Sequence, residues 1–290
     1  MWLCVLERQV RRKAKTVSQY GIRFSILDLG IMKSDINLVA PGSVTATRSN
    51  PEAKTYMIDV PIDSVLIDVP GYGKILYDLG CDPKGMSEHW PESIKEITPY
   101  YQKENQTLEY QLGLLGLKPE DIRTVILSHM HVDHAGYLYL FPHAEVIVQE
   151  KEFSAALTYA FEQLDQEGHT LYMRQDLTAP VDRYTLINGD YEVCPGVKCI
   201  SLPGHSAGMM GLQIELDHGG TYLFARDAAY LAVNYGPPSL PASFMYNLED
   251  YYASHEKLRK LEKETGGKVI FSHDMKQWSA MKHAPIPCCI

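Results

Sequence analysis

Val125-Ile126-Leu127-Ser128-His129-Met130-His131-Val132-Asp133-His134-Ala135-Gly136 joins a short apolar run to four potential metal ligands packed into six residues. The apolar triplet predicts a buried strand, which puts the ligand run at a strand's C-terminal end. Imidazole and carboxylate side chains at alternate positions of a turn can converge on one point. Nitrogen and oxygen donors of this kind suit a divalent ion, and four of them so close together leave room for two.

Outward from this run the hydrophobic period changes several times. Before it, Phe24 to Tyr77 alternates β-branched runs with Pro, Gly, Asn and Asp, as in Val65-Leu66-Ile67 and Lys74-Ile75-Leu76-Tyr77, and predicts antiparallel strands. Leu108, Leu112 and Leu115 fall on one helical face that Gly116 is placed to end. After the run, Glu145-Val146-Ile147-Val148 predicts a strand, and Phe153, Leu157, Phe161 and Leu164 fit a helix. Gln166 to Asp182 loses periodicity and reads as a loop or lid. Strands return at Tyr184 to Ile187, Val197 to Ser201, Leu212 to Leu216 and Tyr222 to Ala225, with hairpin-turn residues at Asp217-His218-Gly219-Gly220. A final helix starts at Leu248 with Asn247 as its cap and stops at Gly266-Gly267, followed by the strand Lys268 to Phe271. Two sheets with helices packed outside them, in one α+β unit, account for this order.

Three further candidates stand at the ends of predicted strands: His205 in Pro203-Gly204-His205, Asp227 in Arg226-Asp227-Ala228-Ala229-Tyr230, and His273 in Ser272-His273-Asp274. His89, His143, His169, His218, His255 and His283 lack that placement and are read as surface or satisfied core residues.

A chain of 290 residues with 45% hydrophobic and 22% charged residues buries an ample core without staples. The formal net charge of −9 disfavours a nucleic-acid partner. Six cysteines without a CxxC spacing read as thiols in a reducing compartment, so a cytoplasmic location is expected. No run is long enough to span a bilayer, and no membrane partner is expected. The basic stretch Arg8 to Lys15 has no apolar segment after it and reads as part of an N-terminal extension, residues 1–20, ahead of a single domain over 21–290.

Together, His129-x-His131-x-Asp133-His134, Pro203-Gly204-His205, Asp227 and His273 resemble the ligand pattern of the metallo-β-lactamase superfamily. The resemblance implies a four-layer αβ/βα sandwich. It also implies one metal on His129, His131 and His205, a second on Asp133, His134 and His273, and Asp227 bridging the two. Asp78 resembles a residue that supports such a site from a neighbouring strand without being a ligand. Two divalent ions of this kind lower the pKa of a shared water toward neutrality, which implies hydrolysis. Zinc is the expected metal, and the donors also accept manganese, cobalt or iron.

Local features narrow the branch. β-Lactam hydrolases with two zincs usually lack the bridging carboxylate that Asp227 supplies here, and flavodiiron enzymes replace the histidine found at His131. Leu112-Gly113-Leu114-Leu115-Gly116-Leu117-Lys118-Pro119-Glu120-Asp121-Ile122, Asp227-Ala228-Ala229-Tyr230 and Ser272-His273-Asp274 resemble N-acyl-homoserine lactonases and relatives such as 4-pyridoxolactonase. The expected substrate is therefore a small lactone, first an N-acyl-homoserine lactone (quorum quenching). Tyr230 would hydrogen-bond the lactone oxygen and Asp133 would pass a proton to the leaving alkoxide. Other readings are a hydrolase of another lactone or ester, a glyoxalase II-like thioester hydrolase, and a metal-binding protein without catalysis. Asp82 to Lys103 and Gln166 to Asp182 are expected to wall the site, and the resemblance admits a homodimer.

Overall fold

The computed structural model describes residues 20–162 and 171–288. The extension expected over 1–20 lies outside these apart from Tyr20, as do Leu164, His169 and the start of the stretch read as a lid.

The first sheet holds β1 (Arg23–Asp35), β2 (Met57–Val69), β3 (Gly73–Tyr77), β4 (Tyr100–Tyr101), β5 (Thr124–Ile126), β6 (Glu145–Gln149) and β7 (Arg183–Ile187), in the order β4-β1-β2-β3-β5-β6-β7. Its β4-β1-β2-β3 half is antiparallel, and β3, β5, β6 and β7 run parallel. The second sheet holds β8 (Tyr191–Cys194), β9 (Val197–Ser201), β10 (Met210–Leu216), β11 (Gly220–Arg226) and β12 (Lys268–Phe271) in the order β12-β11-β10-β9-β8, with only the β11–β12 pair parallel.

The apolar runs explain the layering, because strands buried on both faces must be apolar at successive positions rather than alternate ones. Ile75, Tyr77, Ile126 and Ile147 point from the first sheet into a core shared with Val197, Cys199, Leu212 and Phe224 of the second. Their neighbours Leu76, Val125, Val146 and Val148 face the other way, under Leu108, Leu112, Ala156 and Ala160. On the far side of the second sheet, Ile200, Leu223, Ala225 and Val269 pack with Leu258 of the helix Leu248–Thr265. The result is the expected α+β sandwich of helix, sheet, sheet and helix. Helix Leu248–Thr265 has the expected ends: the Asn247 side chain accepts from the Asp250 N–H at 3.0 Å, and Gly266 closes the last turn in the left-handed region.

Three readings need correction. The helix after β6 spans Glu150–Glu162, but its buried face is Glu152, Ala156 and Ala160, while Phe161 is exposed. The short strands β4 and β8 and the short helices Arg174–Leu177 and Met275–Ala280 were not foreseen. Residues 171–182 carry no open lid: Tyr172, Met173 and Leu177 are core residues.

A buried ion network joins the two sheets. Arg226, at the end of β11, lies 2.7 Å from Asp63 of β2 and 2.9 Å from Asp78, which follows β3. All three side chains are at most 9% exposed. Asp78 and Arg226 both sit in the left-handed region (φ 59° and 47°), a conformation that an arginine adopts only at a cost in free energy. Removing the cation strands two buried carboxylates. Arg226→Met is therefore expected to lower unfolding stability by about 3–5 kcal/mol in denaturant titrations. Lys33→Met, which removes an exposed partner of Asp59, should leave the midpoint in place.

Candidate metal centre

The seven side chains singled out from the sequence meet at one edge of the sandwich. They arrive from the turn after β5, the loop between β9 and β10, and the ends of the parallel pair β11 and β12. Parallel strands present their C-terminal ends on the same side, which is why residues far apart in sequence converge there.

The ligand run holds its shape because its backbone and side-chain groups are paired in turn. Asp78 accepts from the Ser128 N–H at 2.7 Å and from its hydroxyl at 2.8 Å. The Val132 N–H donates to the Leu171 carbonyl, the His134 N–H to that of His131, and the Gly136 N–H to that of Gly80. Met130 and Val132 pack in the core cluster, while His129 and His131 gather with His205. Gly136 is required, since a Cβ there would lie 1.9 Å from the Asp82 backbone nitrogen.

The donor atoms form two sets. Nε2 of His205 lies 3.0 Å from Nδ1 of His131, and both gather with His129. Asp133, His134, Asp227 and His273 make the second set, with Nε2 of His134 and of His273 lying 3.4 and 3.5 Å from Asp133 Oδ2. Asp227 stands between them and divides its oxygens. Oδ2 lies 3.4 Å from His205 Nε2 and 3.7 Å from His129 Nε2, and Oδ1 lies 3.3 Å from His134 Nε2 and 3.2 Å from His273 Nε2.

The donors fit a metal. Nε2 of His129 and of His134 are buried without a hydrogen-bond partner, which is costly unless something else meets them. Separations of 3.0–3.7 Å bracket the ~3.3 Å edge of a tetrahedron drawn at the usual zinc–nitrogen distance of about 2.0–2.1 Å. The outer ring nitrogens are already engaged: His134 Nδ1 with Asp78 at 2.9 Å, His129 Nδ1 with Ser128 Oγ at 3.0 Å, His205 Nδ1 with the Phe244 carbonyl at 3.1 Å, and His273 Nδ1 with that of Pro61 at 3.2 Å. Such partners fix the tautomer and aim the free nitrogen inward.

The two sets differ electrostatically. Burial, then neighbouring imidazoles, holds His129 and His131 well below the ordinary histidine range, and burial also lowers His205. Burial acts the same way on His134 and His273, but the surrounding carboxylates outweigh it and raise both. Burial thus favours neutral imidazole in the first set, whereas the carboxylates favour the protonated form in the second. Tyr230 lies beside both, its hydroxyl 3.4 Å from His205 Nδ1 and its ring centroid 5.1 Å from that of His273. Burial, then Asp227 and Asp133, pushes the phenol well above its usual range, so it stays protonated.

A cleft of roughly 510 Å³, mouth included, opens onto His131, Asp133, Asp227, Tyr230 and His273. Its other walls are mostly apolar, among them Met32, Val39, Val60 and Phe244. Thr98 and Leu171 bring the two segments expected to wall the site to its rim.

The family model of the metallo-beta-lactamase superfamily matches residues 57–273. An N-acyl homoserine lactonase, AiiB, from Agrobacterium fabrum is 32% identical over 90% of this chain and 96% of its own. An N-acyl homoserine lactonase from Bacillus thuringiensis is 32% identical over 79% of this chain and 87% of its own. Among solved structures, an N-acyl homoserine lactone hydrolase with the product N-hexanoyl-L-homoserine at its catalytic metal centre superposes with a TM-score of 0.77. It shares 25% identity and is matched over 91% of this chain and 98% of its own.

Sequence reasoning missed Glu152. Its fully buried carboxylate accepts from the Met130 N–H at 3.1 Å and the Tyr172 hydroxyl at 3.0 Å through one oxygen. The other oxygen accepts from the Ser206 hydroxyl at 2.6 Å and the Gly208 N–H at 2.9 Å. It therefore ties the backbone between His129 and His131 to the loop that carries His205, while the Tyr172 ring packs edge-on against His131. An acid on the alanine face of the helix was the available signal. Glu152→Gln places an amide NH2 against two donors. Metal affinity in a chelator competition is expected to fall roughly ten- to a hundredfold with the circular dichroism spectrum retained; unchanged affinity would remove the positioning role.

Proposed function

The chain belongs to the metallo-beta-lactamase superfamily, and from that membership we propose that it is a dinuclear-metal hydrolase that opens the ring of N-acyl homoserine lactones. The observation that carries the reading is the shared Asp227, whose two oxygens face two separate donor sets at the floor of an apolar-walled cleft. His129, His131 and His205 would hold one ion, Asp133, His134 and His273 the other, with Asp227 common to both. When bound, two divalent ions supply a nucleophilic water at neutral pH and polarise an ester carbonyl.

The chain's own groups do the remaining work. Tyr230, held protonated at the cleft, donates to the carbonyl oxygen as negative charge develops there. Asp133 is the most exposed ligand of the seven, its side chain 15% accessible, so it can carry a proton to the alkoxide that leaves as the ring opens. The product is a hydroxy acid. Apolar walls exclude water from the reacting centre and accept an acyl chain.

Zinc is the ion we assign, because the imidazole-rich donors lie at tetrahedral spacing. The buried, unpaired thiols of Cys81, Cys194 and Cys199 support a reducing, cytoplasmic setting. Among the described residues no helix is long and apolar enough to cross a membrane.

A panel of homoserine lactones, aromatic lactones, thioesters and β-lactams, run with metal quantification, tests this reading. Homoserine lactones should be opened fastest, with two ions per chain. Faster turnover of a thioester or β-lactam than of every lactone, or a count near one ion, would overturn it. Tyr230→Phe is expected to lower kcat by roughly tenfold or more while metal content stays at the wild-type level; equal activity would remove the phenol from the chemistry.

A further inference from the structure

One wall of the cleft departs from its apolar surroundings. Ser34 and Thr98 both line it, and both are largely buried. They come from different segments but sit side by side. β1 and β4 pair antiparallel with Met32 opposite Tyr100, and the Lys33 N–H donates to the Pro99 carbonyl at 2.9 Å, so the same register places Thr98 opposite Ser34. Opposed residues of an antiparallel pair share a face, with Cβ atoms about 4.5–5.5 Å apart. Ser34 also shares that face with Met32, two residues back, which lines the cleft as well.

Their hydrogen-bonding capacity is unspent. The Thr98 hydroxyl donates to the Ile94 carbonyl at 3.2 Å, which leaves its oxygen lone pairs free. The Ser34 hydroxyl has no hydrogen-bond partner among the described residues, so it can donate into the cleft. Leu38, Val39 and Val60 line the same cleft and offer neither hydroxyl a side-chain partner. A donor and an acceptor paired on an otherwise apolar wall form a subsite for an oxygen carried by an aliphatic chain. A plain methylene chain there displaces water from both hydroxyls and returns nothing, which is how a polar subsite selects against an unsubstituted analogue.

We propose that the Ser34–Thr98 pair recognises an oxygen substituent on the acyl chain, so that this enzyme favours 3-oxo- and 3-hydroxyacyl homoserine lactones over unsubstituted ones of equal length. The inference rests on the lactonase reading above. A 3-oxo group accepts from the Ser34 hydroxyl, and a 3-hydroxyl can also donate to Thr98.

The test compares kcat/KM for N-(3-oxohexanoyl)- and N-hexanoyl-homoserine lactone in the metal-loaded wild type, Ser34→Ala and Ser34→Thr. The wild type should prefer the 3-oxo substrate by roughly three- to tenfold. Ser34→Ala should bring the ratio close to one, and Ser34→Thr, which keeps a hydroxyl, should hold it. A wild-type ratio near one would overturn the inference and leave the lactonase reading standing. So would a Ser34→Ala variant that loses activity on both substrates with the ratio unchanged, since the hydroxyl would then serve the common amide or ring. Failure to open either substrate would overturn both readings.

Discussion

The carboxylate of Asp78 is the constraint on which the rest of the site depends. It is fully buried, takes hydrogen bonds from the Ser128 N–H, the Ser128 hydroxyl and Nδ1 of His134, and pairs as an ion at 2.9 Å with the guanidinium of Arg226. Each belongs to a different part of the problem. Ser128 starts the ligand run, His134 is one of its donors, and Arg226 ends a strand of the opposite sheet and immediately precedes Asp227. One side chain therefore sets the register between two sheets at the edge where their ligands must meet within an ångström or so. Burying such a charge is expensive, and only a full set of charge-assisted hydrogen bonds offsets it. The left-handed backbone of Asp78 and Arg226 adds to that cost, as expected where geometry serves a site rather than stability.

Glu152 repeats the device from the other side. Asp78 anchors the start of the ligand run and its last histidine, and Glu152 anchors the middle of the run and the His205 loop. Two buried acids, neither among the seven donors, thus hold the loops that carry five of them. Backbone N–H groups are strong and directionally fixed, so a carboxylate shared between two loops positions both more tightly than apolar packing would.

How much of this could be read in the sequence follows from where each signal resides. The run His129 to His134 is local and dense, and His205, Asp227 and His273 each stand at a strand end, so all seven were legible. The layers were legible too, because successive apolar residues such as Val125-Ile126-Leu127 mark strands with two buried faces. Arg226 was not, since its meaning depends on Asp63, 163 residues earlier, and a single arginine beside a ligand looks ordinary. Glu152 was hidden by its helix: Phe153, Leu157 and Phe161 give a stronger apolar stripe than Ala156 and Ala160, although the alanines face the core. The two-residue strand β4 falls below any periodicity signal, and yet its pairing with β1 brings Thr98 to the cleft.

The two donor sets are unequal in a way that bears on the chemistry. Burial favours the neutral form of His129, His131 and His205, which are at most 7% exposed, so with one oxygen of Asp227 they offer a nitrogen-rich, deeply held donor set. The other set swaps an imidazole for Asp133, which is harder, negatively charged and open to the cleft. Nitrogen-rich positions favour the later first-row ions, whereas carboxylate-containing ones tolerate harder ions and added ligands. With an ion bound, the set bearing Asp133 would be the one able to take up a substrate oxygen. It also sits beside Tyr230, whose ring lies 5.1 Å from that of His273. On the proposed function, structural holding and chemical turnover would be divided between the sets, and Asp227 presents one oxygen to each.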